Sequence, residues 1–361
     1  MAEKLKVAVV GATGMVGQRY VALLADHPWF QVAVVAASER SAGKCYTEAV
    51  GSRWVMSGSI PAAIGSLVVK NASNVDEVAR DVDFIFCAVD MPKDETRNLE
   101  ECYARSETPV VSNNSAHRMT PDVPMLLPEV NPEHLEAIAR QRKRLGSKRG
   151  FITVKPNCSI QTYVPALHPL REFGLEKVLV CTYQAISGAG KTFKDWPEMV
   201  DNVIPYIGGE EEKSEVEPLK VWGTIRGDGI VNATAPVISS QCIRVPVTDG
   251  HLAAVSVSFT RKPSRERILE LWACFQGKPQ KLKLPSAPAP FLTYFTEDNR
   301  PQTRLDRDAG RGMAVTLGRL RDDRLLDYRF VCLSHNTIRG AAGGAVLTAE
   351  LLKAEGYLSA K

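Results

Sequence analysis

A glycine-rich turn near the start of the chain does most to limit its fold. The sequence Gly11-Ala-Thr-Gly14-Met-Val-Gly17 follows an apolar, β-branched run at residues 6–11 and opens a run with helical apolar spacing that stops at Pro28. A second β-branched run starts at residue 31, so the glycines lie in a strand–helix–strand unit. In that setting, glycines let the backbone approach a pyrophosphate, whose charge is met by the helix N-terminus. The turn predicts a nucleotide-binding site.

The pattern of apolar and polar residues changes along the chain. Up to about residue 156, short β-branched runs alternate with helical patterns, which indicates a parallel sheet covered by helices. Residues 190–235 are charged and irregular and are predicted to form a loop. Longer runs in which apolar and polar residues alternate are typical of an antiparallel or mixed sheet. These runs lie at residues 177–187, 241–247, 251–259, 312–320 and 328–334.

We therefore predict an α/β protein with a Rossmann-type domain and a second, α+β domain that contains a mixed sheet. A chain of 361 residues exceeds the size at which one hydrophobic core stops growing, so two domains are expected. We place the first at residues 1–156 and the second at 157–335. A final helix after Asn336 is rich in small residues that permit close backbone approach. It is expected to pack on the first domain and complete it with residues 336–361.

Composition argues against several other classes of protein. The net charge is +4, and the densest basic run, residues 140–150, has no aromatic side chain to stack on bases. No apolar stretch approaches the ~20 residues that span a membrane. The eight cysteines form no C-x-x-C pair, so we expect no structural zinc and no other metal. A strand close to the start leaves no room for a signal peptide, which favours a cytoplasmic protein with reduced thiols.

The end of the second predicted strand bears on the choice between NAD and NADP. An acidic residue about 20 positions after the glycine turn holds the ribose 2′-hydroxyl of NAD. This chain has Ser38-Glu39-Arg40-Ser41 there. Glu39 could be that acid, but Ser38, Arg40 and Ser41 offer two hydroxyl donors and a guanidinium that suit a 2′-phosphate. We predict NADP; the alternative is an ordinary polar strand end.

Cys158 stands out among the cysteines. It ends the segment KPNC at residues 155–158, between a predicted strand and a predicted helix. At a helix N-terminus the dipole and free N–H groups favour a thiolate, so a lowered pKa is expected. Cys87, Cys181 and Cys332 lie inside apolar strands and are interpreted as small core residues. A nucleotide domain that ends just before Cys158 suggests aldehyde oxidation through a thioester.

Such chemistry needs an acid/base, and His251 is the best-placed of the six histidines. It follows Asp249-Gly250 at the start of a predicted strand, where a glycine turn can project the ring into a cleft. His27 and His134 lie in amphipathic contexts and are expected to be solvated. On position alone, structural capping or surface placement of His251 is favoured over a catalytic role.

Together, several segments resemble those of aspartate-semialdehyde dehydrogenases: GATGMVG, SNNSAHRM, KPNCSIQT, TYQAISGAG, EEEK and IRVPVTDGH. The resemblance covers nearly the whole chain, and the ending SHNTIRGAAGGAV is more similar to the archaeal and fungal branch. It implies reversible, phosphate-dependent oxidation of L-aspartate 4-semialdehyde to 4-phospho-L-aspartate, with NADP⁺ reduced, in threonine, methionine and isoleucine synthesis. It also implies that the second domain binds substrate and pairs chains, as a homodimer or a homotetramer.

The resemblance implies roles for single residues. Cys158 is the nucleophile, His251 the acid/base, and Gln184 the residue that orients the intermediate. Asn157 donates to substrate or phosphate oxygens. The charged partners are Arg244 for the α-carboxylate, Glu210 for the ammonium group, and Lys213 and Arg118 for the phosphate. The cofactor positions are Gly11, Thr13, Gly14, Met15, Val16 and Gly17 for the pyrophosphate, and Ser187, Gly188 and Asn336 near the nicotinamide.

Alternatives stay open at this point. Without the resemblance, Glu210 and Lys213 would be interpreted as a charged surface segment, and three consecutive glutamates leave open which one meets the substrate. Malonyl-CoA reductase and N-acetyl-glutamyl-phosphate reductase share the chemistry but need no partner for a free ammonium group. A catalytically inactive NADP-sensing protein is disfavoured by the presence of Cys158, His251 and Gln184.

Overall fold

The computed structural model describes residues 3–361 and contains two six-stranded sheets. The first consists of β1 (Leu5–Val10), β2 (Phe30–Ala37), β3 (Lys70–Asn71), β4 (Phe84–Cys87), β5 (Val110–Ser112) and β6 (Ile152–Val154). All neighbouring strands are parallel, and their order across the sheet is β3-β2-β1-β4-β5-β6. This order is that of a Rossmann fold, so the predicted α/β class is confirmed.

The helices of this part are α1 (Met15–Leu24), α2 (Tyr46–Val50), α3 (Ala62–Gly65), α4 (Val75–Ala79), α5 (Lys93–Arg105) and α6 (Ala137–Leu145). The turn between β1 and α1 requires two of its glycines. Gly11 has φ +87°, and a Cβ there would lie 2.3 Å from the Ala88 carbonyl oxygen. A Cβ at Gly17 would lie 2.2 Å from the carbonyl oxygen of Gly11. The helix can therefore approach the end of β1 only because side chains are missing here.

The strands after the first sheet are β7 (Leu175–Gln184), β8 (Thr224–Arg226), β9 (Gly229–Val231), β10 (Val237–Arg244), β11 (His251–Phe259), β12 (Leu292–Phe295), β13 (Val315–Asp322) and β14 (Tyr328–Ser334). The second sheet has the order β10-β7-β11-β14-β13-β12, and β8 pairs with β9 separately. Its two outer pairs are parallel and its three inner pairs antiparallel. The predicted mixed sheet is confirmed, with β12 as an additional strand.

The remaining helices are α7 (Ile160–Leu167), α8 (Glu210–Val221), α9 (Arg265–Cys274), α10 (Lys278–Lys281), α11 (Thr303–Asp306) and α12 (Gly343–Ala354). Within residues 3–361, no helix combines the length and apolarity needed to cross a membrane.

Helix α8 corrects the prediction that residues 190–235 are irregular throughout. Its interior contains Pro218, a residue that normally interrupts a helix because it has no N–H and its ring crowds the preceding turn. Because Pro218 has no N–H, it cannot donate the usual helical hydrogen bond to the Ser214 carbonyl oxygen. That oxygen instead accepts a hydrogen bond from the Tyr163 hydroxyl at 2.8 Å. Three glutamates in the first turn stabilise the helix, because their negative charge lies at the positive end of its dipole. Tertiary contact therefore stabilises a helix that the local sequence disfavours.

The segment after Asn336 returns to the first sheet. A π-helical turn at Ile338–Ala342 leads into α12, whose Leu347 and Leu351 are buried in the same core as Val7 and Tyr20. Within this turn, Arg339 is fully buried and donates two 2.7 Å hydrogen bonds to the Glu129 carboxylate. The end of the second sheet is thereby connected to the first part of the chain.

Two histidines predicted to be solvated are buried. His27 is 6% exposed, and its Nε2 lies 2.9 Å from the carboxylate of Glu350 on α12. His134 is fully buried between the Asn131 side chain and the Gly223 carbonyl oxygen. The prediction was wrong because both rings are covered by segments distant in sequence.

Candidate active site

Cys158 lies in the turn between β6 and α7, where the two sheets meet. The thiol is half-buried, and α7 begins two residues later at Ile160. Asn157 fixes this turn, because its Oδ1 accepts hydrogen bonds from the N–H of Ser159 at 2.9 Å and from its hydroxyl at 2.8 Å. Gly340 packs on the other side, where a Cβ would lie only 2.7 Å from the Cys158 Cβ. The turn is therefore constrained from both sides.

His251 is brought to this thiol by β11. Its Nε2 lies 3.3 Å from the sulfur of Cys158, and its ring is fully buried. The preceding Gly250 has φ +100° and donates its N–H to Oδ1 of Asn336 at 2.8 Å. The other ring nitrogen, Nδ1, accepts the backbone N–H of Ala185 at 3.1 Å. Because Nδ1 is an acceptor, a neutral ring carries its proton on Nε2, facing the sulfur.

The electrostatics of the pair differ from the sequence prediction. Burial raises the pKa of the Cys158 thiol, and the charge of Glu210 adds to that rise. The charges that oppose it belong to Lys155, Arg118 and Arg244. The expectation of a lowered pKa is therefore wrong for this structure, since desolvation of the charged sulfur outweighs the nearby cations. Burial also lowers the pKa of His251 to about 3, so the ring is neutral at pH 7.

Glu210 is the centre of a polar network beside the thiol. Its carboxylate accepts two hydrogen bonds from Asn157 Nδ2, at 2.9 and 3.0 Å, and one from Gln184 at 3.3 Å. Lys213, one helical turn later, lies 2.9 Å from the same carboxylate. Among the three consecutive glutamates, only Glu210 joins this group: Glu211 accepts the N–H of Cys242, and Glu212 is exposed. The amide donors of Asn157 are thus occupied by Glu210 rather than free for a ligand.

Arg118 approaches the turn from the first domain. Its Nη1 lies 3.0 Å from Oε1 of Glu217, and its Nε donates to the carbonyl oxygen of Lys155 at 3.1 Å. The second oxygen of Glu217 accepts the Asn157 N–H at 2.7 Å. Arg118, Glu217 and Lys155 are all buried. A buried ion pair therefore positions the residue before Cys158.

Arg244 ends β10 on the same side as His251. Its Nη1 donates to the Ala185 carbonyl oxygen at 2.6 Å, and the side chain is 5% exposed. Gly188 gives both residues room, because a Cβ there would lie 2.9 Å from Arg244 Nη1 and 3.2 Å from the His251 ring. Ser187 accepts a hydrogen bond from Asn336 Nδ2 at 2.9 Å. The predicted nicotinamide positions thus adjoin the predicted catalytic pair.

A separate cavity of about 380 Å³ lies at the ends of β1, β2 and β4. Its walls include Gly11, Thr13, Gly14, Ser38, Glu39, Arg40 and Arg53. Met15 and Val16 open α1, where helix N–H groups lack intrahelical partners. Ser41 is buried and does not line this cavity. Its N–H donates to the Ser38 carbonyl oxygen and closes a turn. The structure therefore does not support a cavity contact for Ser41.

Two residues of the site were missed in the sequence. Glu217 lies two helical turns after Glu210 and on the same face of α8, a signal that becomes visible once the helix is recognised. Lys155 is 4% exposed in the turn that carries Cys158. A lysine placed directly after an apolar strand was its only sequence signal.

Comparison with known proteins agrees with this geometry. Residues 6–138 match the family described as semialdehyde dehydrogenase, NAD binding domain, and residues 167–339 match semialdehyde dehydrogenase, dimerisation domain. The chain is 45% identical over 352 residues to the aspartate-semialdehyde dehydrogenase of Archaeoglobus fulgidus, covering 97% of this chain and 98% of the relative. It is 40% identical over 364 residues to that of Aspergillus fumigatus, covering 98% and 99%.

Solved structures give the same result. The crystal structure of aspartate-semialdehyde dehydrogenase with NADP from Candida albicans superposes with a TM-score of 0.88 at 37% identity, covering 98% of this chain and 100% of the other. The Vibrio cholerae aspartate-semialdehyde dehydrogenase II complexed with ASA gives 0.75 at 26% identity, with the same coverage. Both the archaeal and the fungal resemblance predicted from sequence motifs are confirmed. The chain belongs to the aspartate-semialdehyde dehydrogenase family.

Proposed function

We propose that the chain catalyses the reversible, phosphate-dependent oxidation of L-aspartate 4-semialdehyde to 4-phospho-L-aspartate with NADP⁺. The observation that carries this proposal is the 3.3 Å contact of Cys158 with His251, inside a site that presents both signs of charge. A thiol beside an imidazole suits covalent catalysis on an aldehyde. A guanidinium, a carboxylate and a lysine beside them suit an amino acid and a phosphate.

The sulfur performs the covalent steps. Its thiolate attacks the aldehyde carbon and forms a thiohemiacetal. Oxidation of that carbon leaves a thioester on Cys158, and a phosphate oxygen then attacks the thioester carbonyl. The C–S bond breaks, which releases the acyl phosphate and returns the thiolate. His251 presents Nε2–H to the oxygen that becomes negative, and Gln184 orients the intermediate from the Glu210 network.

Charge complementarity accounts for the substrate. Arg244 would bind the α-carboxylate, since a guanidinium meets a carboxylate with two parallel hydrogen bonds. Glu210 would exchange its pairing with Lys213 for the substrate ammonium group. Lys213 and Arg118 would then attract the phosphate. Asn157 supports this arrangement through Glu210 and through the Cys158 turn.

The 380 Å³ cavity suits NADP, which supplies the hydride acceptor of the reaction. The glycine turn allows the close backbone approach that a pyrophosphate needs, and Arg40 and Ser38 on the wall suit a 2′-phosphate. Ser187, Gly188 and Asn336 would adjoin the nicotinamide. We assign cofactor binding to residues 1–156 with 336–361, and catalysis and pairing to residues 157–335.

Oligomerisation follows from the dimerisation domain, and we propose a homodimer formed through the outer face of the second sheet. Leu179 and Tyr183 on β7 and Val237 on the neighbouring edge strand β10 are 45%, 36% and 68% exposed. Leu179→Glu should shift the sedimentation coefficient to that of a monomer, whereas Leu325→Glu, on a turn with 86% exposure, should not. A homotetramer would require a second interface.

Eight free cysteines suit the reducing cytoplasm.

The test of the activity is NADPH formation from L-aspartate 4-semialdehyde and NADP⁺, with and without inorganic phosphate, and with Cys158→Ala as the control. Turnover that requires both phosphate and Cys158 supports the proposed reaction. NADP binding without turnover contradicts the named substrate, and malonyl-CoA reduction would then be measured next.

A further inference from the structure

Lys220 is a buried cation to which the proposed reaction gives no role. It lies in the last turn of α8 and is 1% exposed. Its ammonium group donates hydrogen bonds to the carbonyl oxygens of Arg118 and Thr120, both at 2.6 Å, and of Val123 at 3.0 Å. Burying an ammonium group is unfavourable unless its donors are paired, and here three acceptors match its three N–H groups. Lys220 therefore fixes residues 118–123, which we call the Arg118 loop.

The Arg118 loop begins with the arginine that we assign to the phosphate. Nη1 of its guanidinium lies 3.0 Å from Oε1 of Glu217, and its Nε donates to the Lys155 carbonyl oxygen at 3.1 Å. These contacts hold the end of the side chain, whereas Lys220 holds the main chain of the same residue. Glu217 and Lys220 are about one helical turn apart on α8, so neighbouring side chains of one helix fix both ends of Arg118.

The rest of the Arg118 loop has contacts that do not involve Lys220. The carbonyl oxygen of Pro121 accepts the Ile230 N–H at 2.8 Å, and that of Asp122 accepts a hydrogen bond from the Gln141 side chain at 3.1 Å. Loss of the ammonium group should therefore leave the loop folded but release the Arg118 carbonyl oxygen. The expected consequence is a displaced guanidinium in a folded protein.

We propose that Lys220 is a positioning residue for the phosphate step: through the main chain of Arg118, it holds the guanidinium where phosphate attacks the thioester on Cys158. Glu217 also accepts the Asn157 N–H at 2.7 Å, so α8 positions both the guanidinium and the residue before the sulfur. Lys220 itself donates only to backbone oxygens, so it takes no part in bond making. The inference rests on the proposed function in taking Arg118 as the phosphate ligand.

The first experiment compares Lys220→Met with the wild type and with Lys278→Met. The control removes a lysine that pairs with Glu355 outside the site. Because misplacement by about 1 Å can change a rate about a hundredfold, Lys220→Met should raise the KM for inorganic phosphate about tenfold or more. The KM values for the semialdehyde and NADP⁺ should change less than about threefold. Lys220→Gln keeps two N–H donors and should give an intermediate KM for phosphate.

The second experiment measures phosphate binding without turnover. Inorganic phosphate, added at constant ionic strength, should raise the melting temperature of the wild type, because it binds the folded chain. The Kd obtained in this way should rise about tenfold in Lys220→Met and stay unchanged in Lys278→Met. When Arg118→Gln is already present, Lys220→Met should change the Kd less than about twofold, because the two substitutions act through one group. A lysine that only stabilised the fold would not show this dependence on Arg118.

An unchanged Kd and KM for phosphate in folded Lys220→Met would overturn the inference, and so would an equal effect of that substitution with and without Arg118. A wild type whose melting temperature does not respond to phosphate would also overturn it. If Lys220→Met does not fold, Lys220→Gln decides by the same measurements. Lys220-dependent phosphate binding without semialdehyde turnover would remove the substrate proposal and leave this inference standing. Phosphate-dependent turnover with an unchanged phosphate KM in Lys220→Met would do the reverse.

Discussion

The backbone of Ala185 donates its N–H to Nδ1 of His251 at 3.1 Å. Its carbonyl oxygen accepts from Nη1 of Arg244 at 2.6 Å. A single residue, the first after β7, therefore fixes both the tautomer of the His251 ring and the direction of the Arg244 guanidinium. Since neither contact uses a side chain of Ala185, replacing that side chain would not test this arrangement. Substitutions must be made in the partners.

Replacement of His251 should distinguish its two nitrogens. His251→Ala should lower kcat/KM about 10²- to 10⁴-fold, the usual contribution of a positioned proton-transfer group. In His251→Gln the amide nitrogen can take the place of Nε2 near the sulfur, whereas in His251→Asn it can reach only the place of Nδ1. We expect Gln to retain at least about tenfold more activity than Asn in steady-state assays. Equal activities would contradict the assigned tautomer.

Arg244→Lys should impair substrate binding although it keeps the charge. A lysine cannot form two parallel hydrogen bonds with a carboxylate, and charged hydrogen bonds contribute about 1.5–3 kcal/mol each. We expect kcat/KM for the semialdehyde to fall about tenfold to a hundredfold, while the KM for NADP⁺ stays within about twofold. A larger effect on NADP⁺ than on the semialdehyde would argue against the carboxylate contact.

Arg40→Ala should reduce discrimination between NADP and NAD. Loss of the guanidinium from the cavity wall should raise the KM for NADP⁺ about tenfold or more and leave that for NAD⁺ nearly unchanged. Arg80→Ala removes the same charge from an exposed position outside this cavity and provides the matched control. Initial rates with both cofactors give the ratio. An equal rise in the KM for NADP⁺ and for NAD⁺ would instead assign Arg40 a role in binding that does not depend on the 2′-phosphate.

Stability should fall in mild acid. Burial lowers the pKa of His251 to about 3 and of His168 and His335 to about 4. Unfolded histidines titrate near 6.5, so between about pH 4 and 6.5 the unfolded chain binds more protons and the free energy of unfolding rises with pH. The slope is at most about 1.4 kcal/mol per pH unit for each histidine.

Urea unfolding between pH 4.5 and 7.5 measures this slope. His168→Phe is the informative variant, because Nδ1 of His168 is buried without a partner and its ring packs on Phe275. It should reduce the slope by up to one histidine's share without touching the active site. The same slope in the variant would contradict the assignment.

Gly340→Ala should damage catalysis more than folding. The added Cβ would lie 2.7 Å from the Cys158 Cβ, too close for any real contact, so the thiol must move. Misplacement by about 1 Å can cost about a hundredfold in rate. Gly208→Ala is the control, since its Cβ would meet only the Tyr206 hydroxyl at 4.0 Å. The test compares kcat with the melting temperature for both variants. Wild-type kcat in Gly340→Ala would disprove the steric argument.

Local sequence patterns predicted those features that local chemistry decides. The glycine turn, the parallel strands after it and the mixed second sheet follow from spacing that adjacent residues display. Cys158 and His251 were identified because each stands at the start or end of a regular element. Their contact was implied by the family resemblance, and the fold places them 3.3 Å apart.

The features that the sequence did not predict depend on burial by segments that are distant along the chain. Helix α8 contains a proline whose missing hydrogen bond is compensated by Tyr163, a residue far away in sequence. The thiol has a raised pKa because surrounding segments exclude water, an effect that the helix N-terminus alone does not reveal. Lys155 and Glu217 looked like ordinary charges until the fold buried them beside Cys158.

The packing of Gly340 on Cys158 also concerns how the protein is made. The thiol lies in the turn after β6, and its neighbours come from the start of β11 and from the turn before α12, which are far apart along the chain. A chain that is only partly folded holds the same cysteine without its imidazole or its steric support, so its sulfur reacts as an ordinary thiol. The contact between Nε2 of His251 and the sulfur therefore exists only once these segments have come together in the folded chain.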